Sequence, residues 1–277
     1  MARRPKLTSA AKPATFEVEA YNERDEMVPT AIAGEHPLTV YLDKRELVTL
    51  MTLGHAPEAL AIGYLRNQRL VKSIEDIASV QVDWETESVA VTLNRSSVQI
   101  EKKIKKKTVT TGCGQGTVFG DLMEEIDRVK LRDDVVLSDE NLFVLIDRVR
   151  KHETIYKQAG AVHGCALATL AGDILMFVED VGRHNAVDAI AGFMWLDRID
   201  GSDKVFYTTG RLTSEMVIKC AQMRIPFLVS RSGLTKMGHE IAKKTGLTMI
   251  GRASGRHYLA FTGRRRLKRN ARQPMTA

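Results

Sequence analysis

The sequence predicts an α/β protein, α+β over the chain as a whole, in which a larger α/β domain follows a smaller α+β domain. In the second half, apolar strand-like runs alternate with amphipathic helix-like stretches, an order that favours parallel strands joined by crossover helices. In the first half, a hairpin-like stretch, one helix and two further strands follow one another. A cationic run and a glycine-flanked loop over residues 102–117 separate the halves and predict the domain boundary.

Composition divides the chain into five segments. The first and last are rich in basic residues and are predicted to be flexible tails. We predict a basic tail over 1–15, an N-terminal α+β domain over 16–107, a loop with Cys113 and a connecting helix over 108–135, a C-terminal α/β domain over 136–263 and a second basic tail over 264–277.

The smaller domain is predicted to contain one hairpin, one helix and a pair of strands. Residues Thr39–Leu50 favour a hairpin that turns at Asp43-Lys44. A helix is predicted to begin near Pro57, because proline suits the first helical turn. Two strands are predicted around Ser79–Val82 and Val89–Leu93.

The larger domain is predicted to begin with a helix at Ser138, since Asp139 and Glu140 favour the positive end of a helix. A central helix is predicted from apolar residues spaced i, i+3, i+4 and i+7, namely Val187, Ile190, Ala191 and Met194. The other predicted elements are strands at Cys165–Leu170, Ile174–Val178, Lys204–Thr209, Ile225–Ser230, Leu247–Gly251 and Tyr258–Thr262, and helices that begin near Ser214 and span about 234–244.

Composition also limits the class of protein. The chain has 277 residues, of which 44% are apolar, so a sizeable core is expected. No apolar run is long enough for a membrane helix, and the N-terminus lacks the apolar region of a secretory signal. Three cysteines do not form a disulfide framework, which predicts a cytoplasmic protein. The formal charge of +7 favours an anionic partner.

The polar stretch Glu179–Asp188 is the strongest candidate site. It lies where a predicted strand turns into the central helix, a position at which α/β proteins bind ligands. The first helical turn suits an anion, and Arg183, which His184 and Asn185 follow, can bind a phosphate or a carboxylate. The alternative is a well-capped helix with a surface ion pair.

Two further strand exits have the composition of a phosphate site. One is Thr209-Gly210-Arg211 with Ser214, and the other is Ser230-Arg231-Ser232-Gly233. We expect these exits to converge with Glu179–Asp188, because strand ends meet at one edge of a sheet. The alternative is that Ser214 and Ser232 only cap their own helices.

Cys113 is the candidate nucleophile. It lies between Gly112 and Gly114, after the lysine-rich run 102–107, and nearby cations lower the pKa of a thiol. The alternative is an inert loop cysteine. Cys165 and Cys220 lie in apolar stretches and are predicted to be core residues.

Metal and nucleotide motifs are absent from the sequence. There is no Cys-x-x-Cys pair, and His239-Glu240 is followed by Lys243 where a zincin helix has its second histidine. The zinc-deaminase pattern, the Walker phosphate loop and the Gly-x-Gly-x-x-Gly fingerprint are also absent. We therefore predict no metal site.

Several motifs together resemble the formate dehydrogenase accessory sulfurtransferases, the FdhD family, over about residues 16–263. The ten-residue stretch Glu179–Asp188 resembles the signature of that family. The other matching motifs are Leu38–Tyr41 with Glu46–Met51, Thr209-Gly210-Arg211 with Ser214-Glu215, Gly246-Leu247-Thr248 and Tyr258–Gly263.

The resemblance implies a fold, a function and site residues. It implies a cytidine-deaminase-like C-terminal domain without the zinc site, and a cytoplasmic homodimer. It implies a persulfide sulfurtransferase in which Cys113 accepts the sulfur from a cysteine desulfurase. The sulfur would pass to the bis-molybdopterin guanine dinucleotide cofactor that the formate dehydrogenase catalytic subunit requires. The segment implied to contact this cofactor consists of Tyr258, Leu259, Ala260, Phe261, Thr262 and Gly263.

The loop departs from the family pattern at one position. The family carries Cys-Gly-x-Cys-Gly, whereas this chain has Gly116 in place of the second cysteine. A relay between two loop cysteines is therefore impossible, but one thiolate still suffices for transfer.

Two functions stay open for this protein: a sulfur carrier, and a cofactor chaperone or insertase without sulfur chemistry. A nucleic-acid partner is not expected, since aromatic residues make up 6% of the chain and do not alternate with basic ones. A membrane partner is not expected either, since no apolar run is long enough for a membrane helix.

Overall fold

The structure is a computed structural model that describes residues 4–94, 126 and 129–269. It divides into two compact units, each assembled from separate stretches of the chain. The first unit comprises Met1–Met123, Glu153–Cys165 and Val178–Ile199, and the second comprises Glu124–His152, Ala166–Phe177 and Asp200–Ala277. The predicted domains were continuous stretches, whereas in the structure the central signature helix belongs to the first unit.

The elements follow the chain in the order expected for a mixed α/β protein. The strands are β1 Lys6–Leu7, β2 Thr15–Tyr21, β3 Met27–Ala33, β4 His36–Leu42, β5 Arg45–Thr52, β6 Ile77–Asp83, β7 Ser88–Leu93, β8 Leu137–Ser138, β9 His163–Thr169, β10 Ile174–Asp180, β11 Lys204–Thr208, β12 Phe227–Ser230, β13 Thr248–Ser254, β14 His257–Ala260 and β15 Leu267–Lys268. The helices are α1 Pro57–Asn67, α2 Asp139–His152, α3 Ile155–Ala159, α4 Arg183–Leu196, α5 Ser214–Gln222 and α6 Lys236–Thr245.

The first unit contains a five-stranded sheet in the order β1-β6-β7-β4-β5. The predicted hairpin is confirmed as β4 and β5, which pair antiparallel from His36↔Thr52 to Leu42↔Arg45. Asp43 and Lys44 both have positive φ, the geometry of a two-residue hairpin turn whose twist matches that of the strands. The predicted strand pair is confirmed as β6 and β7.

A second hairpin, formed by β2 and β3, was not predicted from the sequence. Seven residue pairs run from Thr15↔Ala33 to Tyr21↔Met27, and these strands form a two-stranded sheet of their own. The short helix α3 packs against this hairpin. The available signal was Asn22, whose side-chain oxygen accepts the backbone N–H groups of Arg24 and Glu26 in the turn.

Helices α1 and α4 pack closely against each other in the first unit. A Cβ added to Gly63 would lie 1.6 Å from the carbonyl oxygen of Asp188, and one added to Gly192 would lie 1.9 Å from that of Ala59. Only glycine fits at both positions, because the two backbones touch there. The predicted helices at Pro57 and at Val187–Met194 are thus confirmed, and they pack against each other.

The six-stranded sheet has the order β10-β9-β11-β12-β13-β14. Strands β11, β12 and β13 are parallel, as the alternating pattern predicted, and β14 returns antiparallel at the edge. The second unit buries one apolar cluster between this sheet and α2, to which the helix contributes Leu142, Leu145, Ile146 and Val149. The Ser138 hydroxyl accepts the N–H of Asn141 and so caps α2.

Both predicted tails contain ordered strands. Lys6–Leu7 pairs with Ser79 and Val80 of the first sheet. Leu267–Lys268 pairs with β8, and Arg266 is 2% exposed. The prediction of flexible tails is therefore wrong for these residues. A basic composition does not reveal that their backbones pair with other strands or that Arg266 is buried. No helix among the described residues has both the length and the apolar character needed to cross a membrane.

Candidate functional site

The signature stretch is built around Asp180, a buried carboxylate at the end of β10. One oxygen accepts the Thr52 hydroxyl at 2.5 Å and the N–H of Leu53 at 3.2 Å. The other accepts the N–H of Gly182 at 3.1 Å and the amide of Asn185 at 2.8 Å. Burial raises the pKa of Asp180, although the four hydrogen bonds oppose that rise. This carboxylate fixes the turn that enters α4.

The neighbouring acid, Glu179, holds the start of α3. Its carboxylate accepts the Thr154 hydroxyl and the N–H groups of Thr154, Ile155 and Tyr156 at 3.0–3.1 Å. It is 5% exposed. The two acids therefore serve internal hydrogen bonds, and the alternative of a surface ion pair is wrong for them.

The three predicted ligands of the signature lie in the first turn of α4 and are buried. Arg183 is 9% exposed, His184 3% and Asn185 4%. The Asn185 amide donates to the Met51 carbonyl at 2.6 Å as well as to Asp180. The residue before the helix, Gly182, is its N-cap and has no side chain that could cap it. A ligand role for these three side chains stays a prediction.

Asp188 ends the signature in the interface between α1 and α4. It is fully buried and accepts the Asn67 amide at 2.7 Å. Burial, and secondarily the charge of Asp188, raises the pKa of Tyr64. The last residue of the signature thus has a structural partner on α1.

In the second unit, two of the predicted strand exits meet. The Ser230 hydroxyl donates to the Gly210 carbonyl at 2.6 Å and accepts the N–H of Ser232 at 2.9 Å. The N–H of Leu212 donates to the Gly233 carbonyl at 3.0 Å. This strand-end cluster presents Arg211, which is exposed, and Ser214, which is partly exposed. Convergence with Glu179–Asp188 stays a prediction.

Neither Ser214 nor Ser232 is the N-cap of its helix. Thr213 precedes α5, and Thr235 precedes α6 and accepts the N–H of Gly238 at 3.2 Å. The alternative that these serines only cap helices is therefore wrong. In the sequence, Ser214 lies close to Arg211, and Ser232 follows Arg231. Arginine and hydroxyl side chains together suit a phosphate.

The predicted segment Tyr258–Gly263 divides between two surfaces. The Phe261 ring lies against Gly251, near the Ser232 carbonyl of the strand-end cluster. The Thr262 hydroxyl donates to the Leu247 carbonyl at 2.5 Å. Gly263, which has a φ of +67°, lies directly against Thr248. Tyr258, Leu259 and Ala260 line a separate groove.

This second surface, the arginine groove, is an open cavity of about 570 Å³ beside β14. Its lining consists of Asp139, Phe143, Arg256, His257, Tyr258, Leu259, Ala260, Arg264 and Arg269. The Arg256 guanidinium lies 5.6 Å from the centre of the Phe143 ring. The Tyr258 hydroxyl donates to Asp139 at 2.5 Å, and burial together with that carboxylate raises the pKa of Tyr258 to about 12.

Sequence reasoning missed the groove residues outside the family segment. Phe143 and Asp139 lie on α2, more than a hundred residues before Tyr258, so no local pattern joins them. The available signal was charge, because residues 241–277 contain ten lysines and arginines and no acid.

The cysteines separate into two groups. Cys165 and Cys220 are fully buried, which confirms them as core residues. Cys113 and the lysine-rich run 102–107 lie outside the described residues. Among the residues that the structure does describe, no group of three or more His, Cys, Asp or Glu side chains could hold a metal ion.

Fold and site together define a mixed α/β protein whose parallel strands end in arginine and hydroxyl side chains. Residues 33–268 match the model of the FdhD/NarQ family, and the chain belongs to this family. A "Sulfur carrier protein FdhD" from Wolinella succinogenes is 32% identical over 82% of this chain and 79% of its own length. One of the same description from Listeria innocua is 28% identical over 94% of this chain and 99% of its own length.

A solved structure supports the same fold. The crystal structure of a protein assigned as a formate dehydrogenase accessory protein, from Desulfotalea psychrophila, is 25% identical, with a TM-score of 0.74. The similarity covers 92% of this chain and all of that one. The mixed α/β fold class is thus confirmed, while the cytidine-deaminase-like topology stays an expectation.

Proposed function

We propose that this protein is a sulfur carrier that acts in the maturation of formate dehydrogenase. The observation that carries the proposal is family membership over residues 33–268, with relatives described as sulfur carrier proteins over nearly their whole length. The sulfur donor is a cysteine desulfurase, and the sulfur is delivered for the formate dehydrogenase catalytic subunit. A second copy of the chain completes the proposed set of partners.

Cys113 is the proposed sulfur-carrying residue. Its thiolate attacks the outer sulfur of the desulfurase persulfide, so that a new S–S bond forms on Cys113 and the desulfurase cysteine leaves as a thiolate. The lysines of the run 102–107 favour the thiolate form, because cations lower a thiol pKa. No oxidant is consumed, since the sulfane sulfur is transferred at its existing oxidation level.

The substrate that receives the sulfur is the bis-molybdopterin guanine dinucleotide cofactor. Its phosphates suit the strand-end cluster, where Arg211 is exposed and Ser214 lies beside it. Phe261 borders the same cluster and offers an aromatic face to a base. The remaining residues of the segment Tyr258–Gly263, and Arg183, His184 and Asn185, complete the proposed contact set.

A second candidate function is a cofactor chaperone or insertase without sulfur transfer. The observation that favours it is Gly116, which replaces the second cysteine of the family loop. Such a protein would bind the cofactor through the same cluster and would not need Cys113.

The test is intact-protein mass spectrometry after incubation with a cysteine desulfurase, cysteine and pyridoxal phosphate. We expect the wild type to gain about 32 Da, one sulfur atom, that a reductant removes, and Cys113→Ala to gain nothing. Cys220→Ala is the matched control, because it removes a buried thiol and should still gain the sulfur. No gain on the wild type beside an active desulfurase would exclude the carrier and favour the chaperone.

A further inference from the structure

The hairpin of β2 and β3 is a surface that the proposed function leaves unexplained. In the described part of the chain its strands pair only with each other. A two-stranded hairpin has little stability in water by itself and needs a further strand or a covering layer. The short helix α3 packs mainly against β3, so β2 is the less covered strand.

The pairing register shows where the backbone of β2 points. The N–H of Gly34 donates to the Ala14 carbonyl at 2.8 Å, and the N–H of Asn22 donates to the Glu26 carbonyl at 3.1 Å. Bonded pairs alternate along an antiparallel ladder, so the residues between them turn their N–H and C=O groups away from the partner strand. The outward backbone groups of β2, here called the β2 edge, belong to Thr15, Glu17, Glu19 and Tyr21.

The outer edge of β3 is less suited to a further strand. Pro29 lies opposite Glu19, so it belongs to the outward residues of β3, where it has no N–H to donate. A proline on an edge strand blocks the addition of another strand. The β2 edge contains no proline and keeps all its donors.

The side chains of the hairpin divide into an apolar face and an acidic face. Successive side chains of a strand alternate between faces, and paired residues share one face. The acidic face carries the exposed carboxylates of Glu17 and Glu19, with the pair of Tyr21 and Met27 at its end. The apolar face has four large side chains that are 36–46% exposed, namely Phe16, Val18, Val28 and Ile32.

The charge of the hairpin determines which strand fits beside β2. Residues 15–33 contain five carboxylates and one arginine, a formal charge of −4 in a chain whose total is +7. Opposite charges on neighbouring strands stabilise a sheet, and like charges destabilise it. A fitting strand therefore has basic side chains beside Glu17 and Glu19 and apolar side chains beside Phe16 and Val18. The β2 strand of a second copy would bring glutamates instead, so it fits poorly.

We propose that the β2 edge binds an extended segment of a partner protein in which basic and apolar residues alternate. The segment adds to the hairpin as a third strand and bonds to the backbone of Glu17, Glu19 and Tyr21. Its lysines or arginines pair with the two carboxylates, and its apolar side chains extend the face of Phe16 and Val18. This interaction is independent of sulfur transfer, so either proposal can fail without the other.

The test measures fluorescence anisotropy while the full-length protein binds a labelled peptide of four lysines and three valines in strict alternation. We expect saturable binding that weakens as salt screens the ion pairs, although protein and peptide are both cationic overall. The control peptide has the same composition, with its lysines grouped at one end. It should bind at least about tenfold more weakly, because as a strand it cannot place lysine and valine on opposite faces.

Reversal of charge tests the acidic face. Glu17→Lys with Glu19→Lys should weaken binding of the alternating peptide at least about tenfold. Glu85→Lys with Glu87→Lys is the matched control, because it makes the same change in net charge in the turn between β6 and β7 and should leave the affinity unchanged. Circular dichroism spectra should match that of the wild type, since all four side chains are exposed.

A proline substitution separates strand addition from charge attraction alone. Glu19→Pro and Glu19→Gln both remove the carboxylate, and only proline also removes the outward N–H. The ladder between β2 and β3 keeps its bonds in both variants, because Glu19 and Pro29 form an unbonded pair. Glu19→Pro should therefore bind the alternating peptide about fivefold more weakly than Glu19→Gln, the effect of one lost hydrogen bond.

Amide hydrogen exchange locates the bound peptide. The N–H groups of Glu17, Glu19 and Tyr21 should exchange fast in the free protein and slowly in the complex. Slow exchange in the free protein would mean that a second copy of the chain covers the edge, and the proposal would be wrong.

Four binding results would also overturn the proposal. They are the absence of saturable binding, equal affinity for the two peptides, an affinity that survives the reversal of both glutamates, and equal affinity of Glu19→Pro and Glu19→Gln.

Discussion

Single residues of the signature have roles that their polarity alone does not reveal. Asp180 and Glu179 accept eight hydrogen bonds between them from groups of the same compact unit. A buried carboxylate is tolerated only when such donors replace its water. The stretch that resembles a ligand site in sequence therefore also holds together β5, β10, α3 and α4.

Tyr258 supports a prediction about pH at the scale of one residue. Its folded pKa of about 12 lies above the usual 10.0, because burial and Asp139 disfavour the phenolate. The contribution of Tyr258 to stability is therefore fully present below the unfolded value of 10.0 and is lost as pH rises towards the folded value. In an ultraviolet titration of tyrosinate, Tyr258→Phe should remove the step near pH 12.

The control for this titration is Tyr21→Phe, which removes an exposed phenol at the end of β2. It should leave the step near pH 12 in place. If Tyr258→Phe left that step unchanged, the bond between the phenol and Asp139 would not survive in solution.

At the scale of elements, the crossing of α1 and α4 depends on two glycines. Each glycine lies against a backbone carbonyl of the other helix, so the helices approach more closely than side chains would allow. Arg66 reinforces the contact, since it donates to the Ala191 carbonyl at 2.7 Å and lies 5.2 Å from the centre of the Trp195 ring. The helix that carries the signature is positioned by this contact.

Gly63→Ala should destabilise the protein by about 3 kcal/mol or more, because one methyl group forces the two backbones apart. The measurement is the free energy of unfolding in urea. Gly233→Ala is the matched control, since a Cβ there meets nothing within 4 Å, and its effect should stay within about 0.5 kcal/mol. Equal effects of the two substitutions would contradict the tight crossing.

At the scale of the whole molecule, both ends of the described chain contribute to the fold. Leu267 is 9% exposed and pairs with Leu137, while the Arg266 guanidinium donates to the Gly246 carbonyl and to the Thr248 hydroxyl. The arginine run near the C-terminus therefore combines exposed cations with one buried residue.

Truncation after Gly263 should lower the melting temperature by at least about 5 °C, because it removes a buried arginine, a buried leucine and a strand. The measurement is thermal denaturation followed by circular dichroism. Arg264→Ala is the control, because it removes one exposed cation of the same run, and it should leave the melting temperature within about 2 °C of that of the full chain. A melting temperature unaffected by the truncation would restore the prediction of a flexible tail.

Much of the fold could be predicted because its signals are local. The hairpin turn at Asp43-Lys44, the start of α1 at Pro57 and the cap at Ser138 each depend on a few neighbouring residues. The β2–β3 hairpin escaped prediction although Phe16–Ala20 alternates apolar and acidic residues, because its partner strand Met27–Ala33 has no such alternation and contains a proline. The division into units also escaped it, since each unit combines distant stretches.

The sequence by itself determined the fold class, the order of most elements and the family, because periodicity, capping residues and short motifs act within one turn or strand. Only the tertiary structure decided which polar residues are buried. Thr52 and Asp180 lie 128 positions apart yet share a hydrogen bond, and Gly210 meets Ser230 only because their parallel strands are neighbours. Burial and pairing depend on residues that are distant in sequence, and no local pattern contains them.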